Sequence, residues 1–289
     1  MKRRALVRHL ENHGCELLGE GGTIQCWGKN SVGQLGNGTR THSSTPVPVK
    51  GITNATAVAT GVDHSCAVLS DHTIWCWGNN NIGQLGNGIA IPSGSRLPPL
   101  DDSEPGYKPI PTPEPVQVSN ITTAMAVSAG NYYGCAVLSD GTIWCWGSNS
   151  SGKLGNGTAA PFPSSSTPVK VNGIPARATA VATGYGTESF GHTCALLQNG
   201  TIWCWGDNRN GELGNGTAAP DYLPTPVKVS TITTATAVAL GIEHSCALLG
   251  NGTISCWGNN TQGQLGNPSI PRGNNRIAVE PTLPVLGIP

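Results

Sequence analysis

The chain of 289 residues carries ten cysteines, and they come in pairs. Cys15 precedes Cys26, Cys66 precedes Cys76, Cys135 precedes Cys145, Cys194 precedes Cys204, and Cys246 precedes Cys256. In the last four pairs the residues between include Ser-Asp-His, Ser-Asp-Gly, Gln-Asn-Gly or Gly-Asn-Gly. An Asp-Gly or Asn-Gly turn of this length suits a three-residue β-hairpin loop whose glycine is left-handed. Such a loop at 70–72 sets Leu69 opposite Thr73, Val68 opposite Ile74 and Cys66 opposite Cys76. The first pair is spaced one residue wider, and its turn, Gly-Glu-Gly-Gly, is one residue longer, so the register is kept. Opposed thiols in every copy predict five cross-strand disulfides of about 2–3 kcal/mol each and an oxidising compartment. The competing reading is ten small buried apolar side chains whose thiols stay reduced. A third chemistry is a His64, Cys66 and Cys76 metal set. Its spacing is not that of a finger or ribbon, and Tyr133 replaces the histidine in the third copy, so no metal is expected.

Other reactive residues recur too regularly for catalysis. His13, His64, His192 and His244 sit at one position of a repeated segment. A general base should be singular and beside a distinctive partner, so these are read as structural. Asn-Gly-Thr triplets begin at Asn37, Asn156, Asn199, Asn215 and Asn251. They match both the glycosylation sequon and turn chemistry, and their recurrence favours turns. No nucleophile elbow, phosphate-cradling glycine loop or metalloprotease motif is present. No catalytic residue and no cofactor is expected. Sixteen basic residues balance sixteen acidic ones, which argues against nucleic acid as a partner. No apolar run approaches the roughly 20 residues that cross a membrane. The start, MKRRALVRHLENHG, is basic but lacks an apolar core, so it does not read as a signal peptide.

The elements that must carry these residues form a repeat. The segments TIQCWGKNSVGQLGNGT, TIWCWGNNNIGQLGNG, TIWCWGSNSSGKLGNGT, TIWCWGDNRNGELGNGT and TISCWGNNTQGQLGN begin at Thr23, Thr73, Thr142, Thr201 and Thr253. A Cys-Ala-Leu-Leu type segment precedes each, and a Pro-Val segment follows, at 45–49, 114–118, 167–171, 225–229 and 283–286. An Ala-Thr-Ala-Val type run completes the unit. Each of the four segments is short, rich in β formers and bounded by Gly, Asn, Asp or Pro. In Thr73–Trp77, Ile74 and Cys76 face one way and Trp75 and Trp77 the other. A strand apolar on both faces belongs in a sheet sandwiched between neighbours, as in a propeller blade. One all-β domain spans 1–289, with repeats near 5–54, 55–123, 124–178, 179–234 and 235–289. The expected architecture is a five-bladed β-propeller with four strands per blade. ALVRHLENHGCELL from Ala5 aligns with TAVATGVDHSCAVL from Thr56, and the chain stops where that strand would come next. This predicts a ring closed by pairing the N- and C-terminal strands.

The repeated W-G-x-N-x-x-G-x-L-G and G-x-x-H-[ST]-C-A-[LV]-L resemble the regulator-of-chromosome-condensation (RCC) repeat over nearly the whole chain. The resemblance implies a propeller of seven blades, whereas this chain holds five repeats; a closed five-bladed ring, a part of a longer array and pairing with another chain all stay open, and the matching ends favour the ring. Members of that family include a nucleotide exchanger for a small GTPase, a secreted propeller that inhibits enzymes, and interaction modules. It does not choose among these.

The choice falls to the loops. The Ala-Val to Cys connection and the long connection after Gly-Asn-Gly-Thr should share one end of each sheet, and that end varies most. It carries Tyr107, Tyr132, Tyr133, Phe162, Tyr185, Phe190 and Tyr222, which are both phenylalanines and all five tyrosines of the chain. Asp101, Asp102 and Arg272 join them. Aromatics on variable loops over a rigid scaffold read as a binding surface. The leading expectation is a non-enzymatic scaffold for a protein partner, exported or surface-located, with Met1 a trimmed or engineered start; a monomer is compatible with the sequence. The alternatives are an intracellular guanine-nucleotide exchange factor and a loop-built glycan-active enzyme or secreted enzyme inhibitor.

Overall fold

The computed structural model describes residues 13–18, 21–89, 112–159, 164–186, 190–217 and 220–279. They form strands in consecutive groups. The first sheet holds β1 (His13–Leu18), β2 (Thr23–Gly28) and β3 (Ser43–Pro48). The second holds β4 (Ala55–Thr60), β5 (His64–Leu69), β6 (Ile74–Gly78) and β7 (Thr112–Gln117). The third holds β8 (Ala124–Ala129), β9 (Tyr133–Leu138), β10 (Ile143–Ser148) and β11 (Ser164–Lys170). The fourth is β12 (Ala178–Thr183), β13 (His192–Leu197), β14 (Ile202–Asp207) and β15 (Tyr222–Lys228). The fifth is β16 (Ala235–Leu240), β17 (His244–Leu249), β18 (Ile254–Asn259) and β19 (Asn274–Val279). Strands follow one another across each sheet in chain order, as an antiparallel meander. The segments expected to close a ring, 5–10 and 283–286, lie outside the described residues.

Two compact units divide the chain: Met1–Ala136 with Cys145–Ser148 and Ser164–Val169, and Val137–Trp144 with Asn149–Pro163 and Lys170–Pro289. In the first unit, Cys15, Ile24, Leu35 and Ile52 build a core with Ala55, Ala67 and Trp77 of the next sheet. The second repeats the pattern with Cys194, Ile202, Leu213 and Ile232 against Ala247 and Trp257. Each core therefore lies between successive sheets, as strands apolar on both faces require.

All five hairpins keep the expected register. Cys15 opposes Cys26, Cys66 opposes Cys76, Cys194 opposes Cys204 and Cys246 opposes Cys256. All five cysteine pairs are disulfide-bonded, with Cα atoms 4.0–4.1 Å apart. Among the described residues no cysteine is free. The reduced-thiol and His-Cys-Cys readings both lapse, because no thiolate remains to ligate.

The fourth strand of the last repeat differs from expectation. Val47, Val116 and Val227 of the Pro-Val segments stand opposite Cys26, Cys76 and Cys204. In the fifth sheet the residue opposite Cys256 is Val279, not a residue of 283–286. The segment Asn274–Val279 takes the place because Asn259 pairs with Asn274, which leaves only a 14-residue connection from strand to strand (260–273). The valine at that register position is what the sheet requires. The proline before it is dispensable.

Candidate functional site

One asparagine per repeat fixes the long connection to its sheet. The Asn30 amide oxygen accepts from Leu35 N at 2.9 Å, and its amide nitrogen donates to the carbonyls of Thr39 and Thr41, both at 3.0 Å. Asn149 does the same with Leu154 N (3.0 Å) and the Thr158 carbonyl (2.9 Å). Asn80, Asn208 and Asn260 also accept from Leu85, Leu213 and Leu265. These asparagines are buried, where an amide holds its place only by meeting partners at both ends. The motif reading passed over this residue. Its signal was present, since the Asn of W-G-x-N stands in all five copies.

Between the pinned ends, the G-x-L-G stretch is interleaved between sheets. The carbonyl of its second residue accepts the indole N–H of the following sheet: Trp77 to Gln34 (3.0 Å), Trp146 to Gln84 (3.0 Å), Trp205 to Lys153 (2.9 Å) and Trp257 to Glu212 (2.7 Å). Hydroxyls of Ser65, Thr193 and Ser245 donate to the same carbonyls of Gln34, Lys153 and Glu212. The recurring histidines join this clasp, with His13 Nε2 3.0 Å from Ser65 Oγ and His192 Nε2 2.7 Å from Ser245 Oγ. Burial pushes His13 down to about 4 and His64 and His192 to about 3, so all three are uncharged at neutral pH. Their structural role follows.

The variable connections meet at one end of each sheet. Asn79 N donates to the Asp63 carbonyl, Ser148 N to Tyr132, Asp207 N to Gly191 and Asn259 N to Glu243, all within 2.8–3.0 Å. Each bond ties the start of the long connection to the preceding Ala-Val to Cys loop. The glycine of W-G makes the approach possible. Gly78 has φ 107°, and a Cβ there would lie 2.5 Å from the Asp63 carbonyl oxygen. The five Asn-Gly-Thr triplets are Asx turns: each asparagine Oδ1 accepts from both the N–H and the hydroxyl of the threonine two residues on.

At the end of the fourth sheet the structure brings several expected residues together. Asp207 pairs in register with Tyr222, and its N–H bonds the carbonyl of Gly191, next to Phe190. Tyr185 precedes Gly186, which packs directly on the Phe190 backbone. Tyr222 is 45% exposed and Phe190 37%. Arg209, which the sequence reading omitted, lies over the Phe190 ring with its guanidinium carbon 3.4 Å from the centroid. Its Nε is 3.1 Å from Asp207 Oδ1. Beneath lies Glu212, buried, with its carboxylate accepting from Asn210 N (2.9 Å) and Asn210 Nδ2 (2.8 Å). Burial and the Asp207 carboxylate push Glu212 up to about 7. Burial also raises Asp207, against the pull of Arg209. The arrangement is an aromatic and cationic surface over an acidic floor. Stacked Arg and exposed Tyr and Phe are the side chains that anchor protein interfaces.

The remaining expected residues belong to other sheets or lie outside the described residues. Tyr132 stands in the first unit at φ 63°, and Arg272 is exposed beside the fifth sheet. Tyr133 does not belong to the loop surface. It opens β9 at 0% exposure, in the slot that histidine fills elsewhere, because strand position and not residue type decides burial there. Asp101, Asp102, Tyr107 and Phe162 lie outside the described residues.

A family profile described as the RCC1-like domain matches residues 10–286. The probable E3 ubiquitin-protein ligase HERC6 of Homo sapiens is 30% identical over 275 residues, covering 93% of this chain and 25% of HERC6. The ultraviolet-B receptor UVR8 of Arabidopsis thaliana is 31% identical over 143 residues, 49% of this chain and 31% of the receptor. Among solved structures, human WBSCR16 superposes with a TM-score of 0.72 at 20% identity, over 94% of this chain and 65% of that one. Prp20p from Saccharomyces cerevisiae gives 0.73 at 19% identity, over 93% and 61%. The chain thus spans a quarter of HERC6 and less than two thirds of either solved chain. Identities of this order carry the fold and no site.

Proposed function

This chain belongs to the RCC1-like domain family, and from that premise we propose that it is a non-enzymatic protein-binding β-propeller scaffold, exported or surface-located, that works through its variable-loop end. The observation that carries the reading is the cluster of Phe190, Arg209 and Tyr222, exposed and yet held to a sheet end by Asp207. Aromatics already fixed in place lose little conformational entropy when a partner covers them. Prp20, the yeast member of the family, was solved bound to Kap60, and Prp20p was studied for binding to Gsp1p and histones. Protein partners therefore suit the architecture. Export rests on the five disulfides, since a reducing cytosol would oppose them.

The test is quantitative capture from the native host with the wild type and with a Phe190→Ala, Arg209→Ala, Tyr222→Ala triple variant. Partners enriched by the wild type should fall at least tenfold with the variant. Its melting temperature should stay within a few degrees, because all three side chains are exposed. Equal capture by both proteins would discard this end of the fourth sheet as the binding surface.

A further inference from the structure

Four of the hairpins turn on one side-chain oxygen. Asp71 Oδ1 accepts from Thr73 N (3.0 Å) and Thr73 Oγ1 (2.7 Å), and Asp140 Oδ1 accepts from Thr142 N (2.9 Å) and Thr142 Oγ1 (2.7 Å). Asn199 Oδ1 takes the same two bonds from Thr201 (3.2 and 2.7 Å), and Asn251 Oδ1 takes them from Thr253 (3.0 and 2.8 Å). The bonds from Thr73 and Thr142 hold both carboxyls below their usual range. A carboxylate therefore serves this turn at least as well as an amide. The turn needs the oxygen alone. Neither Asn199 Nδ2 nor Asn251 Nδ2 donates to a described residue, and both asparagines are exposed.

Asn199-Gly-Thr and Asn251-Gly-Thr are also acceptor triplets for an N-linked glycan. Turn chemistry accounts for the oxygen of each asparagine and leaves the nitrogen unused. Transfer forms a C–N bond from Nδ2 to the anomeric carbon of a sugar carried on a lipid diphosphate. The anomeric C–O bond breaks, the lipid diphosphate leaves, and the amide proton passes to a base of the transferase. Nδ2 keeps one hydrogen and Oδ1 keeps both threonine bonds, so the hairpin survives the modification. Two other matching triplets, Asn149-Ser-Ser and Asn259-Asn-Thr, are different. Both asparagines are buried, and their amide nitrogens are committed: Asn149 Nδ2 donates to the Thr158 carbonyl at 2.9 Å, and Asn259 Nδ2 donates to Glu243 Oε2 at 2.6 Å. A glycan at either would displace a bond of the folded chain and have no solvent to enter.

We infer that Asn199 and Asn251 carry N-linked glycans. The inference rests on the export reading, because this acceptor triplet is used in secreted proteins. It is compatible with the proposed binding surface. The Asn199 turn stands before the first residue of β14, and the Asp207–Tyr222 pair stands at its other end. A strand of six residues separates them by roughly 17–20 Å, so a glycan on the turn leaves the aromatic end open.

Mass spectrometry on the full chain from its native host decides it. Thiols are alkylated without reduction, and glycans are then released enzymatically in heavy-oxygen water, which leaves a labelled Asp wherever a glycan stood. Label is expected at Asn199 and Asn251, with none at Asn149 or Asn259. Asn199→Asp, which restores the residue type of Asp71 and Asp140, should lose one glycan and keep the wild-type melting temperature. Asp140→Asn, which completes the same triplet in the third sheet, should gain one. Unlabelled Asn199 and Asn251 in protein with five intact disulfides would overturn this inference and leave the export reading standing. Ten alkylated cysteines would overturn both. Label at Asn149 or Asn259 would overturn the choice of sites by their free amide nitrogens.

Discussion

Glu212 occupies a place that three other repeats give to glutamine. Gln34, Gln84 and Gln264 each accept the N–H two residues back, from Val32 (3.1 Å), Ile82 (2.8 Å) and Gln262 (2.9 Å), as Glu212 accepts from Asn210. Where those repeats have a neutral amide, Glu212 brings a carboxyl into the buried loop, and burial raises it to about 7 from 4.5. A carboxyl whose folded value exceeds its unfolded one stabilises the fold while protonated. That contribution is lost as pH rises from about 4.5 through 7, at about 1.4 kcal/mol per unit and about 3 kcal/mol in all. Glu212→Gln should therefore raise stability by about 1–3 kcal/mol at pH 8, less than the full amount because one accepting oxygen becomes a donor. At pH 4.5 it should change little. Urea titrations at the two pH values check this, and an equal effect at both would refute the ionisation account. The residue scale also shows why the loop aromatics were only partly readable. Tyr133 and Tyr132 are neighbours, yet one is core and the other loop, a difference set by strand phase rather than by side-chain type.

At the scale of the element, the hairpins were legible to the residue. Turn length and the alternation of side chains fix antiparallel register locally, and Leu69 N to Thr73 O at 2.9 Å is the bond this register demands. The long connections were legible only as lengths. Their order comes from the Asn30 class, whose partners lie up to eleven residues away. Asn30→Ala should leave the Leu35 N–H and the Thr39 and Thr41 carbonyls unpaired, at a cost of about 2–4 kcal/mol. Asn30→Asp, which keeps the acceptor for Leu35 N but turns a buried carboxylate oxygen toward the Thr39 and Thr41 carbonyls, should cost at least as much and free residues 39–42 while leaving the Leu35 N–H bonded. Thermal melts and amide exchange across 35–42 separate the two. Wild-type protection in both variants would mean that the loop is held by something else. The last strand was misplaced for a related reason. A Pro-Val pair marks the fourth strand in most repeats, but pairing selects a valine at a fixed distance from the disulfide, and Val279 meets that condition.

For the whole molecule, repetition multiplies small effects. His13, His64 and His192 are buried uncharged, with values near 4, 3 and 3 against 6.5 when unfolded. A base held low in the fold gives stability that is complete above about 6.5 and is lost as pH falls toward the folded values. Each can remove about 1.4 kcal/mol per unit, so three outweigh the opposing gain from Glu212 below about pH 6. Denaturant midpoints should fall steeply between pH 6 and 4, and His64→Gln should flatten the slope by about a third. A midpoint unchanged over that interval would show that these imidazoles find partners when charged.

The sequence by itself determined the repeat, the four-strand unit, the hairpin register and the disulfide pairing, because each rests on alternation and turn length within about 50 residues of chain. Tertiary structure alone decided which residues meet across sheets: the indole on the carbonyl of the preceding loop, Arg209 on Phe190, and Tyr133 in place of a histidine. Those contacts join residues of different strands and loops, some more than fifty positions apart, and nothing local in a sequence orders such pairs before the sheets have stacked.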